Sequence, residues 1–265
     1  MWRVFVVVAA ALAGVLPASG EVWLGGELGA ATASGYTGYV DENRPAPYWS
    51  IGGGVAAGRL AVECKYATLA DVDDVELYGE VGYAMRRENS ADEFNGEVEG
   101  RWRFFTGSVN LVAGLTAYWA RGHQRREYFD WSLREEPYPV FMAKYETYLN
   151  YFFAAPLVGA EVERGRFYGR ATVGAGYRDH HESGDYVSAG GQFGGGRDDI
   201  GARANFLAWS FRAAASYEVV AHLRLGGKLT VRDDINRFNV SYYWWREDPP
   251  ERTDVAFAVT AAVVL

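Results

Sequence analysis

From Val255 to Leu265 the chain reads Val-Ala-Phe-Ala-Val-Thr-Ala-Ala-Val-Val-Leu, bulky at most odd positions and small at most even ones. A two-residue period puts successive side chains on opposite faces of a strand, so this segment has a bulky apolar face and a small one. A bare apolar strand of this kind on a soluble protein would template aggregation along its edge. A barrel that pairs its last strand with its first has no edge, and in an outer membrane the bulky row faces lipid.

The amino terminus agrees with export. Met1-Trp2-Arg3 is a short basic start, an apolar run follows from Val4 to Leu16, and Pro17-Ala18-Ser19-Gly20 supplies small residues before Glu21. The run is shorter than the ~20 apolar residues of a spanning helix and has the form of a secretory signal peptide. The reading is a signal peptide over residues 1–20 and one mature barrel over 21–265, exported to the cell outer membrane of a Gram-negative bacterium.

Composition narrows the partners. Hydrophobic residues make up 49% of the chain and aromatics 15%, with no apolar helical run after the leader. That suits alternating strands with aromatic girdles at the membrane interfaces. An excess of 34 Asp+Glu over 26 Lys+Arg argues against nucleic acid. The single cysteine, Cys64, rules out an internal disulfide.

Alternation recurs along the chain. Between His222 and Arg232, Leu223, Leu225, Leu229 and Val231 share one face, with Arg224, Lys228, Thr230 and Arg232 on the other. Between Glu93 and Phe104, Phe94, Val98, Trp102 and Phe104 oppose Glu93, Glu97, Glu99, Arg101 and Arg103. Opposite charges on an inner face can pair across the lumen, so the lumen is expected to be filled. Four short links are read at Ala70–Asp74, Thr106-Gly107, Arg164-Gly165 and near Val219-Val220. Five longer ones are read at Asp41–Pro45, Arg87–Asp92, Asp130–Pro137, Asp179–Asp199 and Asp233–Arg252. Nine connections give ten antiparallel strands, short turns alternating with long outer loops. A turn at Gly58-Arg59 would make the count odd, so Pro47 to about Leu69 is read as one long strand.

Several segments in this order resemble the omptins, outer-membrane endopeptidases. They are Tyr48-Trp49-Ser50, Ala91-Asp92-Glu93-Phe94, Leu115-Thr116-Ala117-Tyr118, Ala155-Pro156-Leu157-Val158-Gly159, Phe167-Tyr168-Gly169 and Ala213-Ala214-Ala215-Ser216-Tyr217. The resemblance implies a ten-stranded barrel and a rim site made of an Asp-x-His dyad facing an Asp-x-Asp pair. Asp179-His180-His181 matches the dyad, which makes Asp179 and His181 the candidate catalytic residues. An imidazole kept basic by a carboxylate can activate water against a peptide carbonyl. The second pair has no match. Residues 86–92 hold no Asp-x-Asp, and Glu88, Asp92 and Glu93 are the carboxylates within reach of that role. Straight alternation also puts Asp179 and His181 on the row of Phe167 and Val173, the lipid side, unless a bulge turns them inward.

Two readings follow: an omptin-like barrel without a complete protease site, serving a structural or surface-binding role, or an endopeptidase acting on peptides or proteins. A small porin or adhesin is a third. No cofactor is implied. His180, His181 and Glu182 lack a third or fourth ligand at a recognisable spacing, so no metal site is assigned. Gly190–Gly196 lacks a Gly-Lys-Ser/Thr ending and reads as an outer loop. Arg121, Arg125, Arg126 and Lys144 lie near the outer rim, where the resemblance implies contact with lipopolysaccharide phosphates as well as outer-membrane lipid. Interspersed Glu127, Asp130, Glu135 and Glu136 make solvated rim charges the simpler account of these cations. Tyr242, Tyr243, Trp244 and Trp245 read as an interfacial anchor.

Overall fold

The structure is a computed structural model describing residues 20–33, 46–80, 83–104, 107–130, 140–188, 196–243 and 253–265. Ten strands form one closed antiparallel barrel: β1 (Glu21–Ala33), β2 (Ala46–Ala57), β3 (Leu60–Glu80), β4 (Tyr83–Arg103), β5 (Val109–Asp130), β6 (Val140–Arg164), β7 (Phe167–Ser188), β8 (Gly196–Val220), β9 (Leu223–Tyr243) and β10 (Asp254–Val264). Each strand pairs with its neighbours in the chain, and β10 closes on β1. The bulky row of β10 does face outward: Phe257 and Val259 are exposed while Ala258 is buried inside. Across the seam Leu24 meets Val263 and Leu28 meets Val259, so both strands turn apolar side chains to the same side.

The strand number agrees with the sequence reading, but two of its connections do not. The first short turn is at Gly58-Arg59, where Gly58 has φ 59°, a left-handed backbone that glycine adopts without strain. Pro47–Leu69 is therefore two strands and not one. Ala70–Asp74 lies inside β3 and Arg87–Asp92 inside β4, so the expected turn and loop there are corrected together and the count is preserved. A register shift between Leu69 and Val72 marks a bulge at that point. Asp179–Ser188 and Asp233–Tyr243, expected in loops, continue β7 and β9. Above the aromatic rows the outer face of a strand meets no lipid, so polar residues stand there freely and polarity stops signalling a turn.

Two rows of exposed aromatics bound the apolar outer surface. Trp102, Phe104, Phe167 and Tyr217 lie near the short turns; Trp49, Trp119, Phe152 and Tyr177 lie farther up. Phe167 and Tyr177 are ten residues apart on β7, which spans ~25 Å at ~3.3 Å per residue and ~40° tilt, the height of the apolar band of such barrels. Trp119 lies across Gly96 of β4, its indole standing where a Cβ would be. Above this row β7 runs on to Ser188, roughly a further 28 Å.

Charged residues from facing walls fill the lower and middle lumen. Arg101, almost fully buried, donates to Glu161 (2.8 Å), Glu99 (2.7 Å) and Glu63 (2.9 Å). Glu63 also takes Arg170 at 2.7 Å, and Glu161 takes Arg103 at 2.7 Å. Above them Arg212 pairs with Glu97 and Glu99, Arg232 reaches Glu97 at 3.0 Å, and Glu27 accepts from Lys228 at 2.9 Å and Tyr48 at 2.8 Å. This is the filled lumen expected from the charged face of residues 93–104. Paired and hydrogen-bonded in this way, the charges avoid the penalty of isolated ions out of water.

Candidate functional site in the upper lumen

Alternation in β7 decides what faces the lumen above the aromatic row. Tyr177 is exposed on the outside, Arg178 and His180 are fully buried inside, and Asp179 and His181 lie on the outer side between and beyond them. β7 pairs with β8 without a register shift, so no bulge turns the candidate dyad inward. Asp179 is held on the outer wall by Arg203, which donates from Nε (3.0 Å) and Nη2 (2.9 Å), and by Asn205 Nδ2 at 2.9 Å. Glu93 faces the lumen, buried, and accepts from Tyr118 at 3.3 Å. The side chains of Glu88, Asp92, Arg126 and Glu182, and residues 244–245, lie outside the described residues.

The inward positions form a different cluster. Arg178 Nη2 lies 3.2 Å from His180 Nδ1, and Arg178 forms an ion pair with Asp234 of β9. Its guanidinium is sandwiched between Tyr151 of β6 (4.8 Å from the ring centroid) and Phe206 of β8 (4.4 Å). Cation–π contact on two faces suits a guanidinium that gives up most of its water. Around it pack Tyr118, Ala120, Phe153, Ala155 and Ala208, an apolar core inside the barrel.

A guanidinium only donates, so in this contact His180 Nδ1 is the acceptor. A carboxylate partner would do the reverse, taking the Nδ1 proton and leaving Nε2 free to accept one from water. At the end of β7 the lumen thus presents Arg-x-His where the omptin pattern has Asp-x-His. The strand period already carried this in the sequence, since the count that put Asp179 outside puts Arg178 inside. Asp234 was not legible, because its strand extension reads as loop.

On the β1–β3 and β10 side the upper lumen leaves a cavity of about 30 Å³, lined in part by Tyr48, Lys65, Glu93, Asn95, Arg232 and Asp254. A second, of about 20 Å³, lies lower among Glu63, Glu97, Arg170 and Arg212. Each has room for one or two waters. No cluster among the described residues could hold a metal ion.

The outer wall above the aromatic row is polar. Glu146 accepts from Lys144 (2.8 Å), His123 (3.0 Å) and Tyr148 (3.1 Å), and the His123 ring stacks on Tyr148 at 4.9 Å. The hydrogen bond from Lys144, helped by those from His123 and Tyr148, holds the Glu146 carboxyl down at about 2, and the same carboxylate raises the Tyr148 hydroxyl. Among the rim cations expected to meet lipopolysaccharide, Arg121 is exposed, Arg125 pairs with Glu127 and Lys144 pairs with Glu146.

Closed strand order, apolar belt, aromatic rows and a charge-packed lumen together define an integral barrel of the outer-membrane type. Outer membrane protease OmpT from Escherichia coli has a similar solved structure, with a TM-score of 0.52 at 12% identity over 92% of this chain and 96% of that one. The translocator domain of autotransporter NalP from Neisseria meningitidis matches at a TM-score of 0.45 and 11% identity, over 98% and 93%. Neisserial surface protein A matches at 0.32 and 9%, over 91% and 96%. Comparison of the sequence with known families and with curated proteins returns no match. At 12% identity the likeness to OmpT concerns the fold alone, and that fold is omptin-like.

Proposed function

We propose that the chain is exported by a cleaved leader and serves the outer membrane as a barrel with a structural or surface-binding role, without a working protease centre. The observation that carries this reading is the Arg178–His180 contact, which gives the inward histidine a donor where a general base needs a carboxylate acceptor. Asp179 and His181, the pair that the resemblance singles out, lie on the outer wall, with Asp179 engaged by Arg203 and Asn205. The exposed Arg121, together with Arg125 and Lys144 and their carboxylate partners, supports outer-leaflet lipid or lipopolysaccharide phosphate as the surface partner.

The test is cleavage of a dibasic fluorogenic peptide by the barrel purified from membranes, with added lipopolysaccharide, comparing the parent with His181→Ala. Equal, background-level signal from both is expected, on a protein whose amino-terminal residue is Glu21. Cleavage by the parent that is lost in the variant would establish a protease and overturn the reading.

A further inference from the structure

We propose that the cavity of about 20 Å³ in the lower lumen is an anion site, in which one chloride ion accepts a hydrogen bond from Arg212 Nε and rests against Arg170 and Lys228. The proposal is independent of whether the barrel cleaves peptides and of what its outer wall binds.

Arg212 supplies an unmatched donor. Its side chain is 4% exposed, Nη1 is taken by Glu97 and Glu99, and Nη2 donates to Thr116 at 2.9 Å. Nε has no acceptor among the described residues, and the side chain lines the cavity. A buried donor calls for an acceptor, and a guanidinium cannot turn its N–H into anything else. Ala214 of β8 stands opposite both Arg170 of β7 and Lys228 of β9 across the ladder, so only a methyl separates those two cations below Arg212. Room for one or two waters excludes a phosphate or carboxylate ligand and leaves water or a monatomic anion.

Charge decides between those two. Glu63, Glu97 and Glu99 line the cavity together with four cations, Arg170, Arg212 and two lysines. The partners of these groups do not restore the balance. Linked through shared groups, the ion pairs of the lower and middle lumen form one network of seven cations and five carboxylates among the described residues. Where water screens poorly, a surplus of positive charge favours an anion over a neutral molecule. The upper cavity is the contrast. Arg232 Nε also has no acceptor among the described residues, but there Lys65 and Arg232 face Glu93 and Asp254, a balanced set that suits water.

Crystals of the full barrel, purified from membranes and soaked in sodium bromide, read the site through bromine anomalous scattering. A bromide peak beside Arg212 Nε is expected; bromide on surface cations alone, with water in the cavity, overturns the proposal. Denaturant unfolding in vesicles then compares sodium chloride with sodium gluconate, whose anion is too large for the cavity, at equal ionic strength. The folded-to-unfolded ratio of the parent should rise by up to about tenfold for each tenfold increase in chloride. Lys228→Gln, which keeps a donor for Glu27 and removes one surplus charge, should lose most of that response, while Arg125→Met at the surface should keep it. An equal response in Lys228→Gln and the parent, or a bromide peak without any chloride response, marks an adventitious ion only and refutes the site. If Lys228→Gln does not fold, the two parent measurements decide: peak and chloride response together support the proposal, and the lack of either one sinks it.

Discussion

Arg101 shows how much one side chain can be asked to do in a closed lumen. It is shared by three carboxylates from β3, β4 and β6, and its side chain is 1% exposed. Replacing it with Met would leave Glu63, Glu99 and Glu161 without their common cation. The expected loss is about 3–5 kcal/mol of stability in denaturant titrations in vesicles. Arg125→Met, at a half-exposed surface pair, should cost less than about 1 kcal/mol in the same assay. Glu146 gives the pH counterpart. Its carboxyl lies below its ordinary 4.5 at about 2, so its contribution is complete above pH 4.5 and is lost as the pH falls through 2. Its exposure to solvent makes that contribution small and salt-sensitive. A carboxyl resonance titrating near 2, returning toward 4.5 in Lys144→Met, would bear this out; an unchanged midpoint in the variant would not.

Elements were legible where they cross the membrane and obscure where they leave it. The period-two pattern of residues 93–104 and 222–232 identified both faces of β4 and β9, because lipid on one side and packed charge on the other make opposite demands. Above the aromatic rows both sides of a strand can be polar, and so Asp71, Asp73 and Asp74 read as a turn although they belong to β3. The candidate dyad was named by motif, whereas the faces of β7 follow from alternation, which sets Asp179 and His181 on the outer wall. The tight turn at Gly58 is a clean test of the revised boundary. Nothing lies near the position of an added Cβ there, so Gly58→Ala acts through its φ of 59° alone and should cost about 1–2 kcal/mol. A neutral substitution would argue against a turn at that point.

Among the described residues the lumen of the cylinder is crossed by paired charges from facing walls. Lumen cavities of about 30 and 20 Å³ are far from a continuous aqueous path. Reconstituted in planar bilayers, the barrel should give no discrete channel currents, and steady single-channel openings would contradict a packed lumen. The ionic layers carry a further consequence through their order along the chain. Glu27, Glu63, Glu97 and Glu99 come from β1 to β4, while the cations that reach them across the lumen, Lys228, Arg170, Arg212 and Arg232, come from β7 to β9. Arg101 and Glu161 are the reverse case. The portion of wall synthesised first therefore presents an acidic inner surface and the portion synthesised later a basic one. Lys65 and Arg101 offset part of the acidic excess within the first half-shell, and the counter-charge for the remainder reaches it only when β7 to β9 close the wall.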